Sequence, residues 1–239
     1  MFDKTASYYD KIYAAKDYAG EAERIAAFVA EERGRSEGRL LDVACGTGLH
    51  LEHLKRWFDV EGLDLSAQFL EIARTRLPGT PFHHGDMRTF RLDGRFDVIT
   101  CLFSAIGYLM TLDEVAQALQ AMADHLKPEG VLRVDPWFTP GEWKPGTVQA
   151  ILVDEPELKI ARVSTSLVEG RTSVVDLHYL IATTEETRHI VDPHRLQLYT
   201  VDEMASAFER AGLRVRRDEA GICGRGAYIA RKKIESEAS

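Results

Sequence analysis

The sequence predicts an α/β fold: a parallel sheet covered by helices on both faces, carrying an antiparallel elaboration. Three observations lead there. Short apolar, strand-like runs alternate with helix-like segments between residues 21 and 137. The first of those runs ends in a glycine turn, LDVACGTG, that opens onto a helical pattern. Between residues 147 and 200, four strand-like stretches follow one another with only polar turns between them. Alternation implies crossover connections and a sheet buried on both faces, whereas consecutive strands imply hairpins.

Each element has a local reason. EAERIAAFVAEE (21–32) places Ile25, Ala26, Phe28 and Val29 on one side, an amphipathic helix that Gly34 and Gly38 break. RLLDVA (39–44) is apolar with one acid and short enough for a doubly buried strand. A helical pattern runs through LHLEHLKRWF, then VEGLDL reads as a strand from Val60. SAQFLEIARTRL follows as a helix with Ser66 as N-cap. TPFHHGD is a third short strand and FDVITCLFS (96–104) a fourth. TLDEVAQALQAMADHLKPEG reads as a helix from Thr111, with Pro128 and Gly130 marking its stop, and VLRVDPW (131–137) as a fifth strand. Residues 147–153, 158–168, 172–183 and 187–200 form the antiparallel patch. VDEMASAFERAG (201–212) returns to helical periodicity, LRVRRD and GAYIARKK supply the last strands, and the tail IESEAS is expected to fray.

Composition narrows function by exclusion. The 239 residues carry 30 Lys and Arg against 38 Asp and Glu, a formal charge of −8, which disfavours a polymeric nucleic acid partner. With 45% hydrophobic and 28% charged residues the chain is globular. Cys45, Cys101 and Cys223 are too few and too scattered for a disulfide scaffold or a C-x-x-C zinc site, which fits a reducing cytoplasm. No run suits a signal peptide or a membrane span, so a cytoplasmic protein with no membrane partner is expected. The sequence leaves a homodimer open.

LDVACGTG carries the most chemistry. Gly46 and Gly48 turn the chain where a buried strand meets a helix N-terminus, the crevice in which open α/β sheets bind ligands. The third glycine of a dinucleotide fingerprint is missing, its place taken by Leu51, which disfavours an NAD-type turn. Asp64 ends the second strand, where a carboxylate can accept from a ribose diol, and Asp86 ends the third, where it can accept from an adenine amino group. Any one acid at a strand end also fits a solvated cap; three consecutive strands ending this way do not.

This set resembles the class I S-adenosylmethionine (SAM) methyltransferases over residues 20–136 and 200–232. The resemblance implies a Rossmann-like seven-stranded sheet whose last strand is antiparallel, SAM as cofactor with S-adenosylhomocysteine (SAH) as product, and no metal. It assigns Asp42, Gly46 and Gly48 to the methionine end of the cofactor, Asp64 to the ribose and Asp86 with Met87 to the adenine. Tyr18, Ala44, Cys45, Leu65, Leu102 and Ser104 complete the implied cofactor wall. YDKIYAAKDYAGEA, CLFSAIGYL, DPWFTP, RHIVDPHRLQLYTVDEMASAF and CGRGAYIA further resemble the bacterial TDP-amino-sugar N,N-dimethyltransferases of deoxysugar pathways, and the spacing of His189, Asp192 and His194 is the most specific local match. Two departures stand out: Ser104 is followed by Ala105 where that group tends to carry two serines, and residues 141–160 look diverged.

These matches imply methyl transfer to a small-molecule amine, with the amino group of a TDP-linked amino deoxysugar as the expected acceptor. Another N- or O-acceptor, or a non-catalytic SAM-binding protein, is the alternative. Tyr108, His178 and Tyr13 are the candidates to orient the amine or accept its proton. Tyr9, Trp137, Phe138 and Arg225 are the candidates to hold the acceptor, Arg225 by pairing with a phosphate. Each also fits a structural role: Tyr9, Tyr13 and Tyr18 as packing, Trp137 and Phe138 as core, His178 as a structural strand residue, Arg225 as a solvated turn. His83 and His84 are adjacent on a strand, point to opposite faces and would not share a metal. The expected division is a SAM-binding core over 1–136 and 198–239 with an N-terminal lid, and an inserted antiparallel substrate-side subdomain over 137–197.

Overall fold

The computed structural model describes residues 5–222 and 224–233. Cys223 and the IESEAS tail lie outside the described residues. The chain opens with a 3₁₀ turn (Ala6–Tyr8), a one-turn helix α1 (Tyr9–Ile12) and helix α2 (Tyr18–Arg33). The Asp17 carboxylate accepts from the Gly20 N–H at 2.9 Å to start α2, and Gly34, at φ +73°, ends it in the left-handed region. Ala22, Ile25, Ala26 and Val29 are fully or almost fully buried, the spacing of one helical face.

Alternation then builds β1 (Arg39–Val43), α3 (Leu49–Leu54), β2 (Asp59–Asp64), α4 (Ala67–Arg76), β3 (Phe82–His84) and β4 (Phe96–Cys101). A second 3₁₀ turn (Ala105–Tyr108) leads to α5 (Leu112–His125) and β5 (Leu126–Val134). An antiparallel run follows: β6 (Val148–Glu155), β7 (Leu158–Glu169), β8 (Thr172–Thr183) and β9 (Thr187–Gln197). The chain ends with α6 (Val201–Arg210), β10 (Leu213–Asp218) and β11 (Ala227–Lys232).

One sheet has seven strands in the order β10-β11-β5-β4-β1-β2-β3. Strands β1 to β5 are parallel, and β11 runs antiparallel to both its neighbours. The other sheet is antiparallel, β6-β7-β8-β9. The architecture is the expected Rossmann-like seven-stranded sheet with an antiparallel second sheet. Because β1 to β5 are parallel, their C-terminal ends share one rim, and every loop discussed below leaves from it. Among the described residues no helix is long and apolar enough to cross a membrane.

The end of α5 differs from expectation. The helix stops at His125, and Leu126 is already extended at φ −81°, ψ 138°. Pro128 has no N–H to give and forces extended backbone on the residue before it, so it ends the helix ahead of itself. The His125 ring fixes the break: its Nε2 accepts from the Leu92 N–H at 2.9 Å, so Nδ1 donates to the Ala121 carbonyl at 2.7 Å. Strand β5 therefore begins at Leu126 rather than Val131, with a register shift against β4. Strand β9 ends at Gln197, earlier than 200, because Thr200 caps α6 in a reciprocal pair with Glu203. His83 and His84 do point apart, one to Glu61 Oε2 and the other to the Leu65 carbonyl, each at 2.9 Å.

Gly62 shows how tightly the rim is built. A Cβ there would meet Cys45 Sγ and the Phe82 ring at 2.7 Å. Gly62→Val is expected to destabilise the fold by about 1–3 kcal/mol through overpacking, read as a lower midpoint in urea unfolding.

Candidate active site

A cavity of about 680 Å³ opens at the C-terminal rim between the two sheets. Its floor is the turn after β1. Ala44 and Gly46 both sit at positive φ, 61° and 56°, and Gly48 at 78° starts α3. Asp42, the last acid of β1, is 2% exposed and accepts from the Thr100 hydroxyl at 2.7 Å. Among the described residues it has no ion-pair partner. Burial is the main cause that pushes its carboxyl up to about 7, and the nearby Asp64 and Asp135 add to it.

Asp64 closes the same turn from β2. Its two oxygens accept from the Gly46 and Ser66 N–H groups, each at 2.8 Å, so the acid of the second strand holds the glycine turn of the first. Burial raises this carboxyl despite those hydrogen bonds. Asp86, after β3, is gripped by Arg88 through its backbone N–H and guanidinium, which holds it below the usual carboxylate range. A ligand amino group at Asp86 would have to share the carboxylate with Arg88. Met87, Leu65, Leu102 and Cys45 line the wall between these acids.

The N-terminal segment covers this floor. Tyr9, Tyr13 and Tyr18 all line the cavity. Tyr9 packs against Phe69 at 5.1 Å between ring centroids, Tyr13 against Phe103 at 5.4 Å, and Tyr18 against His50 at 4.8 Å. Polar ties hold the segment at both sides: the Thr47 hydroxyl donates to Asp10 at 2.6 Å on the glycine turn, and Arg162 of β7 donates to the Tyr13 hydroxyl at 3.0 Å. Arg76 pairs with Asp10 as well.

Opposite the floor, Trp137 and Phe138 follow β5 and pack edge to face, 4.8 Å between ring centroids, with the Arg225 guanidinium carbon 5.6 and 5.4 Å from their ring centres. Arg225 Nε also donates to the Ser104 hydroxyl at 3.2 Å. The Tyr108 hydroxyl lies 2.6 Å from His194 Nδ1, and His194 Nε2 lies 3.5 Å from Asp192 Oδ2. Burial pushes the Tyr108 phenol well above its ordinary range.

Three expected site residues are not on the cavity wall. Gly48 faces α4: a Cβ there would meet Ala73 at 3.3 Å, so its glycine serves helix packing and backbone conformation. Ser104 is 1% exposed and turns its hydroxyl to the Pro136 carbonyl at 2.6 Å, away from the cavity, which leaves it a support for Arg225. His178 is exposed on the outer face of the antiparallel sheet, stacked on His189 at 5.4 Å, because strand alternation sends Leu177 and Tyr179 inward in its place. Sequence reasoning passed over Thr47, His50, Phe103 and Arg162. His50 was within reach, two residues into α3 on the turn side; Arg162 was not, since only tertiary pairing brings β7 over Tyr13.

Residues 40–130 match the methyltransferase-domain family. The dTDP-3-amino-3,4,6-trideoxy-alpha-D-glucopyranose N,N-dimethyltransferase of Streptomyces venezuelae is 42% identical over 228 residues, 94% of this chain and 96% of that protein. The solved structure of Streptomyces venezuelae DesVI matches with a TM-score of 0.90 at 41% identity, covering 95% of this chain and 98% of that one. An amino pentose methyltransferase from Micromonospora echinaspora, solved with SAM bound, matches at 0.85 with 38% identity and 98% coverage of both chains.

Asp42 makes a pH prediction. A carboxyl whose pKa is higher folded than unfolded costs stability as pH rises, from about pH 4, where the unfolded group ionises, to its folded value of about 7. Above that the cost is constant. Asp42→Asn removes it, so the variant's gain in Tm over wild type should be small near pH 4 and largest at pH 7 and above in calorimetric scans.

Proposed function

The chain belongs to the TDP-amino-sugar N,N-dimethyltransferase family of SAM-dependent methyltransferases, and on that footing we propose that it methylates the amino group of a TDP-linked 3-amino-deoxysugar. The observation that carries the reading is Asp42: a carboxylate buried at the cavity floor with a hydroxyl partner and, among the described residues, no cation. Asp42 would pair with the charged amino end of SAM. The turn between β1 and α3 offers backbone room at Gly46, and Asp64 presents a carboxylate beside it for a diol. The residues present therefore fit the cofactor.

When bound, SAM supplies a sulfonium-activated methyl group. In the proposed reading the chain's own residues do the rest. Asp42, Gly46, Asp64, Asp86 and Met87 hold the cofactor, with Ala44, Cys45, Leu65, Leu102 and Tyr18 as wall. Tyr9 and Tyr13 close over it and exclude water. Trp137 and Phe138 flank the nucleotide sugar, and Arg225 meets a phosphate as a planar donor fork already set against the Trp137 and Phe138 rings. Tyr108 faces the reacting amine. Holding amine and methyl in line contributes much of the rate, on the order of 7–11 kcal/mol in favourable cases.

The division into a core over 1–136 and 198–239 and a substrate-side insert over 137–197 belongs to the same proposal, as does a cytoplasmic setting. So does a homodimer. Support for the dimer comes from the outer face of the antiparallel sheet, where Val148 and Leu152 are 75% and 74% exposed and Leu180, Val163 and Val191 add to one apolar surface. Sedimentation should give twice the monomer mass, and Leu152→Asp should return it to monomer; a wild-type monomer at micromolar concentration contradicts the dimer.

The acceptor is tested by incubating the protein with SAM and a panel of TDP-amino sugars and reading mass. Gains of one and two methyl groups are expected; reaction with hydroxyl acceptors alone contradicts the reading. Arg225→Ala should raise KM for the nucleotide sugar roughly ten- to hundredfold, the worth of one charge-assisted hydrogen bond, with KM for SAM unchanged.

A further inference from the structure

Asp192 and His194 lie two residues apart on β9, so both side chains turn inward, and both are buried, 7% and 4% exposed. His189, the third member of the same sequence cluster, faces outward. Asp192 Oδ2 accepts from the Thr5 hydroxyl at 3.1 Å and faces His194 Nε2 at 3.5 Å. Burial pushes the Asp192 carboxyl up, but His194 and Thr5 outweigh it and hold it below the usual carboxylate range, so Asp192 is an anion. An anion opposite Nε2 selects the tautomer that carries its proton there. Nδ1 is then an acceptor, and the group 2.6 Å away is the Tyr108 hydroxyl. Tyr108 must donate to it, which leaves its oxygen only acceptor capacity for anything in the cavity.

We infer that the Asp192–His194 pair positions the Tyr108 hydroxyl as an acceptor for the amine's N–H and takes up, through Tyr108, the proton the amine must lose. The inference rests on the amine-acceptor reading above. The step balances. The ammonium N–H bond breaks as an O–H bond forms at Tyr108. The original Tyr108 O–H bond breaks as an N–H bond forms at His194 Nδ1. The products are a neutral amine, an unchanged phenol and an imidazolium facing the Asp192 carboxylate. After product leaves, water in the open cavity takes the proton back along the same path. The Tyr108 phenol, raised by burial, stays neutral throughout and passes protons without becoming a phenolate. Tyr108 would be the catalytic residue; His194 and Asp192 act through it. Tyr13 and Tyr179 also bear on Tyr108, and Arg162 lies against both of them.

Two measurements test this. Nitrogen-15 NMR of histidine-labelled protein with SAH bound, assigned with His194→Asn, should show His194 protonated at Nε2 alone; protonation at Nδ1 overturns the inference whatever the acceptor proves to be. In turnover, His194→Phe should lower kcat at least tenfold with KM for SAM within twofold. His194→Asn, which keeps an acceptor near the Nδ1 position, should recover part of that loss. The Tyr108→Phe, His194→Phe double variant should be no slower than the slower single. Independent, multiplying losses, or no gain from Asn over Phe, contradict it. If no amino sugar turns over at all, the acceptor reading falls, while the tautomer still decides this one.

Discussion

A single buried carboxylate organises the cavity. Asp42, next to the last residue of β1, has 2% of its surface exposed, a hydroxyl partner in Thr100 and two other acids nearby. Such a group is expensive to ionise in the folded chain, and the cost is relieved by a proton or by a cationic ligand. The proposed cofactor would relieve it in the second way. Glycine turns the chain beside it without a side chain in the way, Asp64 pins that turn through the Gly46 N–H, and Thr100 orients the carboxylate from β4.

The N-terminal segment depends on that floor and on the antiparallel sheet at once. Asp10 is tied to Thr47 at the glycine turn, and Tyr13 to Arg162 in β7. Ile12 packs in one apolar cluster with Ile160, Leu177, Tyr179 and Ile181. The segment therefore spans the mouth between the two sheets rather than hanging from one of them. The two sheets are joined by this strap and by the Trp137 Nε1 bond to Ser173 in β8.

Much of this was legible in the sequence for physical reasons. Alternation of strand and helix patterns, the glycine turn and the strand-end acids are local signals, and each strand was found near its place. The end of α5 differs because Pro128, expected with Gly130 to mark the helix stop, already forces extended backbone on the residue before it. Ser104 and Gly48 lie where the motif expects them, but which way a side chain or Cβ direction faces is settled by packing against Pro136 and Ala73. The Asp192 and His194 spacing is visible in the sequence, but their partner is not. Strand alternation puts those two on the inner face and His189 on the outer, yet only the fold brings Tyr108, far away in sequence, against them.

The central claim is that Asp42 awaits a cation. SAH affinity measured by calorimetry across about pH 5.5 to 8.5, in wild type and Asp42→Asn, tests it most directly. A cationic ligand stabilises the ionised carboxylate, so binding releases the proton Asp42 holds below about 7. The account predicts that wild-type affinity rises with pH up to about 7 and then levels, while the variant binds more weakly and without that rise. The same pH profile in both proteins contradicts it.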